Sequence, residues 1–117
     1  MQQQKLMPNL YIIAGCNGAG KTTASYTILT EVLNCYEFIN ADEIAKGLSP
    51  FRPDSAAFEA GRIMLNQIQK HLDANIDFAI ETTLSSKHYE GIIKEAKQKN
   101  YTINLLFFWL PNIESAK

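Results

Sequence analysis

At 117 residues the chain is about one domain long, and 46% hydrophobic with 20% charged residues is a globular composition. That rules out a wholly disordered chain and a fibrous repeat. Eleven basic and twelve acidic residues leave a net charge of −1 without a polybasic run, which argues against a basic face for nucleic acid. The longest apolar stretch, residues 105–110, is six residues, far short of the ~20 that span a bilayer. Neither a nucleic-acid nor a membrane partner is expected. One Lys among the glutamines at the amino terminus does not make a signal-peptide layout, and Cys16 and Cys35 form no metal-ligand or disulfide framework. A cytoplasmic location with reduced thiols is the expectation.

In chain order, residues 9–14 are a short, nearly all-apolar run ending at Gly15, which predicts a strand buried on both faces. A helix is expected over residues 21–34, with Ile28, Leu29, Val32 and Leu33 on one apolar side. Residues 36–40 are a second strand candidate, and residues 42–47 one or two helical turns closed by Gly47. Residues 49–54 carry turn chemistry with two prolines. A long amphipathic helix is predicted over residues 55–75, placing Ala57, Met64, Ile68 and Leu72 inward with Gly61 on the same side. Residues 78–81 are a third strand. A helix capped by Ser86 and running to Lys99 turns Tyr89, Ile92, Ile93 and Ala96 inward, with Lys97 and Lys99 at the end where the dipole favours cations. Residues 101–110 form a fourth strand that Pro111 stops, and Phe107, Phe108 and Trp109 are expected in the sheet core. Alternation of strand and helix predicts an α/β fold, a parallel sheet of about four strands flanked by helices.

Residues 15–22, G-C-N-G-A-G-K-T, satisfy the phosphate-loop pattern G-x-x-x-x-G-K-[ST] between a buried strand and a helix. Glycines let backbone N–H groups turn toward phosphate oxygens, and the helix start adds its dipole and unpaired amides. Gly15, Asn17, Gly18, Ala19, Gly20, Lys21, Thr22 and Thr23 are the candidate nucleotide-binding residues. Lys21 supplies a point charge to the β- and γ-phosphates of ATP, and the Thr22 hydroxyl is placed for Mg²⁺. No N-K-x-D element for guanine is present, and no strand ends in the apolar run and Asp of motor ATPases, so a small-molecule kinase is the better class.

Ligands of open parallel sheets bind beyond the carboxyl ends of the strands. Asp42 follows the second strand and Glu81 ends the third. Asp42 is a candidate catalytic base for a substrate hydroxyl, and Glu81 with Thr82 and Thr83 offers acceptors and hydroxyls for a polar substrate. The competing roles are an N-cap for Asp42 and a structural carboxylate bonded to loop amides for Glu81. His71 and His88 read as exposed helix residues without a partner acid.

Three blocks, I-A-G-C-N-G-A-G-K-T-T, F-I-N-A-D-E-I-A-K-G-L-S-P and A-I-E-T-T-L-S, resemble the zeta toxin family over nearly the whole chain. The resemblance implies a P-loop kinase fold over residues 9–117 after a tail of residues 1–8. It implies ATP-dependent phosphorylation of a sugar hydroxyl of UDP-N-acetylglucosamine, and neutralisation by an antitoxin protein. On the matching positions it makes Lys21 and Thr22 the phosphate and magnesium residues, Asp42 the base, and Glu81 and Thr83 substrate contacts. Two family positions that engage the sugar nucleotide, a Glu and an Arg, are Leu65 and Ser85 here, so another sugar, nucleotide or small alcohol is also open. The family continues past residue 117 with lid arginines and a further strand, so the domain is expected to be incomplete at its carboxyl end. Arg52 and Arg62 are the chain's two arginines. The alternatives are a nucleotide-binding module without transferase activity and a plain ATPase.

Overall fold

A computed structural model describes residues 7–15, 21–81 and 86–108. The strands are β1 (Asn9–Gly15), β2 (Phe38–Ile39), β3 (Phe78–Glu81) and β4 (Thr102–Phe108); the helices are α1 (Lys21–Thr27), α2 (Ala41–Leu48), α3 (Ala57–Ala74) and α4 (Ser86–Gln98). The strands form one parallel sheet in the order β2-β3-β1-β4. The predicted architecture, four parallel strands flanked by helices, is the one observed.

The apolar run of β1 is explained by burial on both faces. Leu10 and Ile12 join Ile39, Phe78 and Ile80 on the face covered by Met64, Ile68 and Leu72 of α3 and Ile92 and Ala96 of α4. Tyr11 and Ile13 face the other way, with Ala79, against Leu29 and Cys35. Each fully buried aliphatic or aromatic side chain contributes about 1.5–3 kcal/mol relative to exposure, so these two layers hold the sheet at its centre. Ala45 of α2 packs against Ala60 of α3 and against Ala56 in the turn that precedes it, small residues that bring the two helices close.

Several local expectations change. Residues 28–32 continue α1 as a π-helical segment rather than as α-helix. Its wider winding rotates Val32 off the apolar side, and Val32 is 63% exposed while Leu29 is buried. Only Phe38 and Ile39 of the second strand candidate pair with β3. The stripe on α3 runs through Ala60, Met64, Ile68 and Leu72 at steps of four, and Ala57 is exposed, because α3 is entered through a 3₁₀ turn over Pro53–Ala56. Phe107 is 59% exposed on β4, an edge strand of the described sheet, so it is not core; Phe108 has no described side chain and Trp109 and Pro111 lie outside the described residues. His71 is only partly exposed and its Nε2 lies 3.3 Å from Glu37 Oε1, a partner too distant in sequence for helical spacing to show. Asn34, Asn75 and Asn100 stand just past the π segment, α3 and α4 with φ of 55°, 53° and 69°; Asn tolerates this left-handed conformation and so ends each helix cleanly.

Candidate functional site at the carboxyl edge of the sheet

The segment that carries the phosphate-loop sequence begins in the centre of the sheet. β1 lies between β3 and β4 and ends at Gly15, and α1 begins at Lys21. Asn17, Gly18, Ala19 and Gly20 fall outside the described residues, as does Thr83, and Lys21, Thr22 and Thr23 are described as the first turn of α1 by backbone alone. The end of β1 and the start of α1 therefore flank residues 16–20 at the carboxyl edge of the sheet. Among the described residues no group of three or more His, Cys, Asp or Glu side chains is arranged to hold a metal. Magnesium that arrives with nucleotide phosphates needs no such cage.

Glu81 ends β3 at the same edge, and it is buried, 4% exposed. Asn40, 5% exposed, directly follows the neighbouring β2 and donates from Nδ2 to Glu81 Oε1 at 2.7 Å. The other end of the same amide caps α2: Asn40 Oδ1 accepts from the backbone N–H of Asp42 at 2.8 Å and of Glu43 at 3.3 Å. The N-cap of α2 is therefore Asn40, not Asp42. Asp42 and Glu43 occupy the first turn, where the helix dipole favours negative charge, and the Asp42 side chain is exposed. Glu81 is a buried carboxylate bonded by a side-chain amide from the adjacent strand rather than by a loop amide alone.

Asn40 was not among the expected site residues. A signal for its capping role is present as Asn40-Ala41-Asp42-Glu43, a variant of the capping box with acid three residues after the cap. Nothing in the sequence reveals the bond to Glu81, which is 41 positions away.

Two crevices flank α2. One of about 310 Å³ is lined by Ala41, Asp42, Ala45 and Lys46 of α2 and by Pro53, Asp54 and Ala57. The other, about 320 Å³, opens toward β2 and α1, with Tyr26, Asn40, Glu43 and Gln67 in its wall. Both are near the lower end of the range for small-molecule sites. Tyr26 packs edge-on against Phe38 with ring centres 5.6 Å apart. Its hydroxyl pKa is raised, first by burial and then by the charges of Glu43 and Glu81, with Lys46 opposing. Tyr26 therefore stands in the field of the same acids. Arg52 and Arg62 are exposed, on the turn before α3 and on α3.

Among the described residues no helix is long and apolar enough to cross a membrane. An uncharacterised protein of Haemophilus influenzae is 28% identical over 100 residues, covering 86% of this chain and 69% of that protein. Among solved structures, a chain from the PezAT chromosomal toxin–antitoxin system of Streptococcus pneumoniae superposes with a TM-score of 0.74 at 19% identity over 91% of this chain. A candidate kinase from Chloroflexus aurantiacus does so with 0.65 at 16% identity over 92%. The chain spans 48% and 60% of those two proteins, and at such identities the likeness is one of fold. The family model for zeta toxin matches residues 1–116, and with the sheet, the phosphate-loop sequence and the acids at its edge in hand, the chain belongs to the zeta toxin family.

Proposed function

We propose that this chain is an ATP-dependent phosphotransferase acting on a hydroxyl of a small molecule, with a UDP-activated amino sugar as the first acceptor to try. The observation that carries this reading is the meeting of three parts at one sheet edge. They are the α1 start that follows the phosphate-loop sequence, the exposed Asp42 beside a crevice, and the buried Glu81 tied to the same helix. In this reading residues 15 and 17–23 cradle the nucleotide phosphates, Lys21 neutralises charge on the β- and γ-phosphates, and Thr22 holds Mg²⁺. Asp42 accepts the acceptor's hydroxyl proton as that oxygen bonds to the γ-phosphorus and the bond to the β-phosphate oxygen breaks, releasing ADP. Glu81 and Thr83 orient the acceptor. Residues 9–117, after a tail of residues 1–8, form the part of the kinase domain that carries these groups, working in the cytoplasm where ATP is supplied. Kinship with a chain from a toxin–antitoxin system supports an antitoxin protein as partner.

The test is to incubate the chain with ATP, Mg²⁺ and a metabolite extract containing UDP-N-acetylglucosamine, and to search by mass spectrometry for any compound that gains a phosphoryl group. Lys21→Ala is the blank. A product missing from the blank is the expected result and names the acceptor. ATP binding without product favours a nucleotide-binding module without transferase activity, and phosphate release without acceptor favours a plain ATPase.

A further inference from the structure

We infer that Asn40 is the positioning residue of this site: one buried amide joins Glu81 to the first turn of α2 and so fixes where Asp42 stands. The catalytic half of this inference rests on the phosphotransferase reading; the structural half rests on geometry alone.

Backbone N–H groups only donate, so the two that face Asn40 from Asp42 and Glu43 require its oxygen, and this turns its NH₂ toward Glu81. Glu81 accepts it at 2.7 Å. The amide therefore has one orientation, and neither bond can be kept by flipping it. Asn40 and Glu81 each directly follow the residues that pair β2 with β3, Ile39 and Ile80, so the bridge extends the sheet's own register by one side-chain bond. What it fixes is the backbone of Asp42, whose side chain reaches solvent and the crevice. Rigid placement matters because a misplacement of about 1 Å at a reacting group costs on the order of a hundredfold in rate.

The chemistry of the residue separates this role from simple capping. Asp and Ser cap helices about as well as Asn. Asp offers Glu81 no donor and sets a second carboxylate against it. Ser accepts from the helix amides but is too short to reach Glu81 as well. A residue needed only as a cap is replaceable by either.

The test has two readouts. The first is a double-mutant cycle in denaturant unfolding with Asn40→Ser and Glu81→Ala, which needs no assumption about activity. Asn40→Ser is expected to lower the folding equilibrium constant about tenfold in the presence of Glu81 and far less in its absence. Additive effects overturn the bridge. Glu81→Gln, which keeps an oxygen to accept from Asn40, replaces Glu81→Ala if the latter does not fold, and is expected to retain most of the coupling. The second readout is steady-state phosphoryl transfer to the acceptor probe. Asn40→Ser is expected to lower kcat by about tenfold to a hundredfold with KM for ATP unchanged, and Asn40→Asp to lower it further. An unchanged kcat in Asn40→Ser overturns the positioning role. A wild-type chain that transfers nothing overturns the phosphotransferase reading instead, and the cycle still decides the bridge.

Discussion

At one end of β3, Asp77 is 6% exposed and accepts the backbone N–H of Asn9 at 2.7 Å. Beside it the Tyr101 hydroxyl donates to the carbonyls of Ile76 at 2.8 Å and His71 at 3.0 Å. At the other end Glu81 is 4% exposed and accepts the side-chain amide of Asn40. Both ends bury a carboxylate, but they differ in what the partner is free to do. At the amino end the Asn9 N–H and the His71 and Ile76 carbonyls are main-chain atoms of β1, α3 and the turn between α3 and β3, so these bonds close the fold. At the carboxyl end the partner is a side chain whose far end holds a helix, with exposed Asp42 and two crevices beyond it. This contrast teaches that buried charge alone does not mark a site; burial next to an opening does. It also agrees with the rule that open parallel sheets bind ligands beyond their carboxyl ends.

The sharpest way to break the contrast is Lys21→Ala, which is expected to reduce phosphoryl transfer about a thousandfold by removing a charge from the γ-phosphate, while thermal melting stays unchanged. Transfer rates and a melting curve on the same preparation check this. Asp77→Ala is the mirror experiment at the amino end. It leaves the Asn9 N–H without its acceptor and is expected to cost about 1–3 kcal/mol in denaturant unfolding, with transfer by the folded fraction unaltered.

Tyr101→Phe is expected to cost about 1–2 kcal/mol for the lost hydroxyl bonds. It also changes the alkaline limb. Burial, with the Asp77 charge adding, raises the Tyr101 hydroxyl pKa well above its ordinary value of 10.0. The unfolded chain then ionises first as pH climbs past about 10, so wild-type stability is full below that value and falls above it. The Phe variant is expected to lose less stability between pH 9 and about 11, which a pH series of melting curves reads directly. Smallest is Lys99→Met. Lys99 Nζ lies 3.7 Å from Asp73 and 3.9 Å from Glu95, in partly solvated pairs, and a change of under about 0.5 kcal/mol is expected from unfolding curves.

How far the sequence carries this contrast depends on the range of the interaction. β1 and β3 are legible because a short apolar run in an α/β pattern has few other places to go, and β3 falls on residues 78–81 as expected. α3 and α4 are legible because their buried residues recur at helical spacing. The π-helical segment is not, since apolar residues at helical spacing do not separate π from α winding, and Val32 is misplaced by it. The same holds for the site. Asp42 and Glu81 follow from strand ends plus the rule about sheet edges. Asn40 hides because its decisive bond spans 41 positions, and His71 because its acid, Glu37, lies on the segment before β2.

The most direct test of the account is Asp42→Asn, assayed for phosphoryl transfer and, separately, for ATP binding. Asparagine keeps the size of the side chain and its place in the first turn of α2 but accepts no proton. Turnover reduced by about 10²–10⁴-fold with ATP affinity unchanged is the expected result. Turnover equal to that of the wild type contradicts it, and removes Asp42 as the group that deprotonates the acceptor.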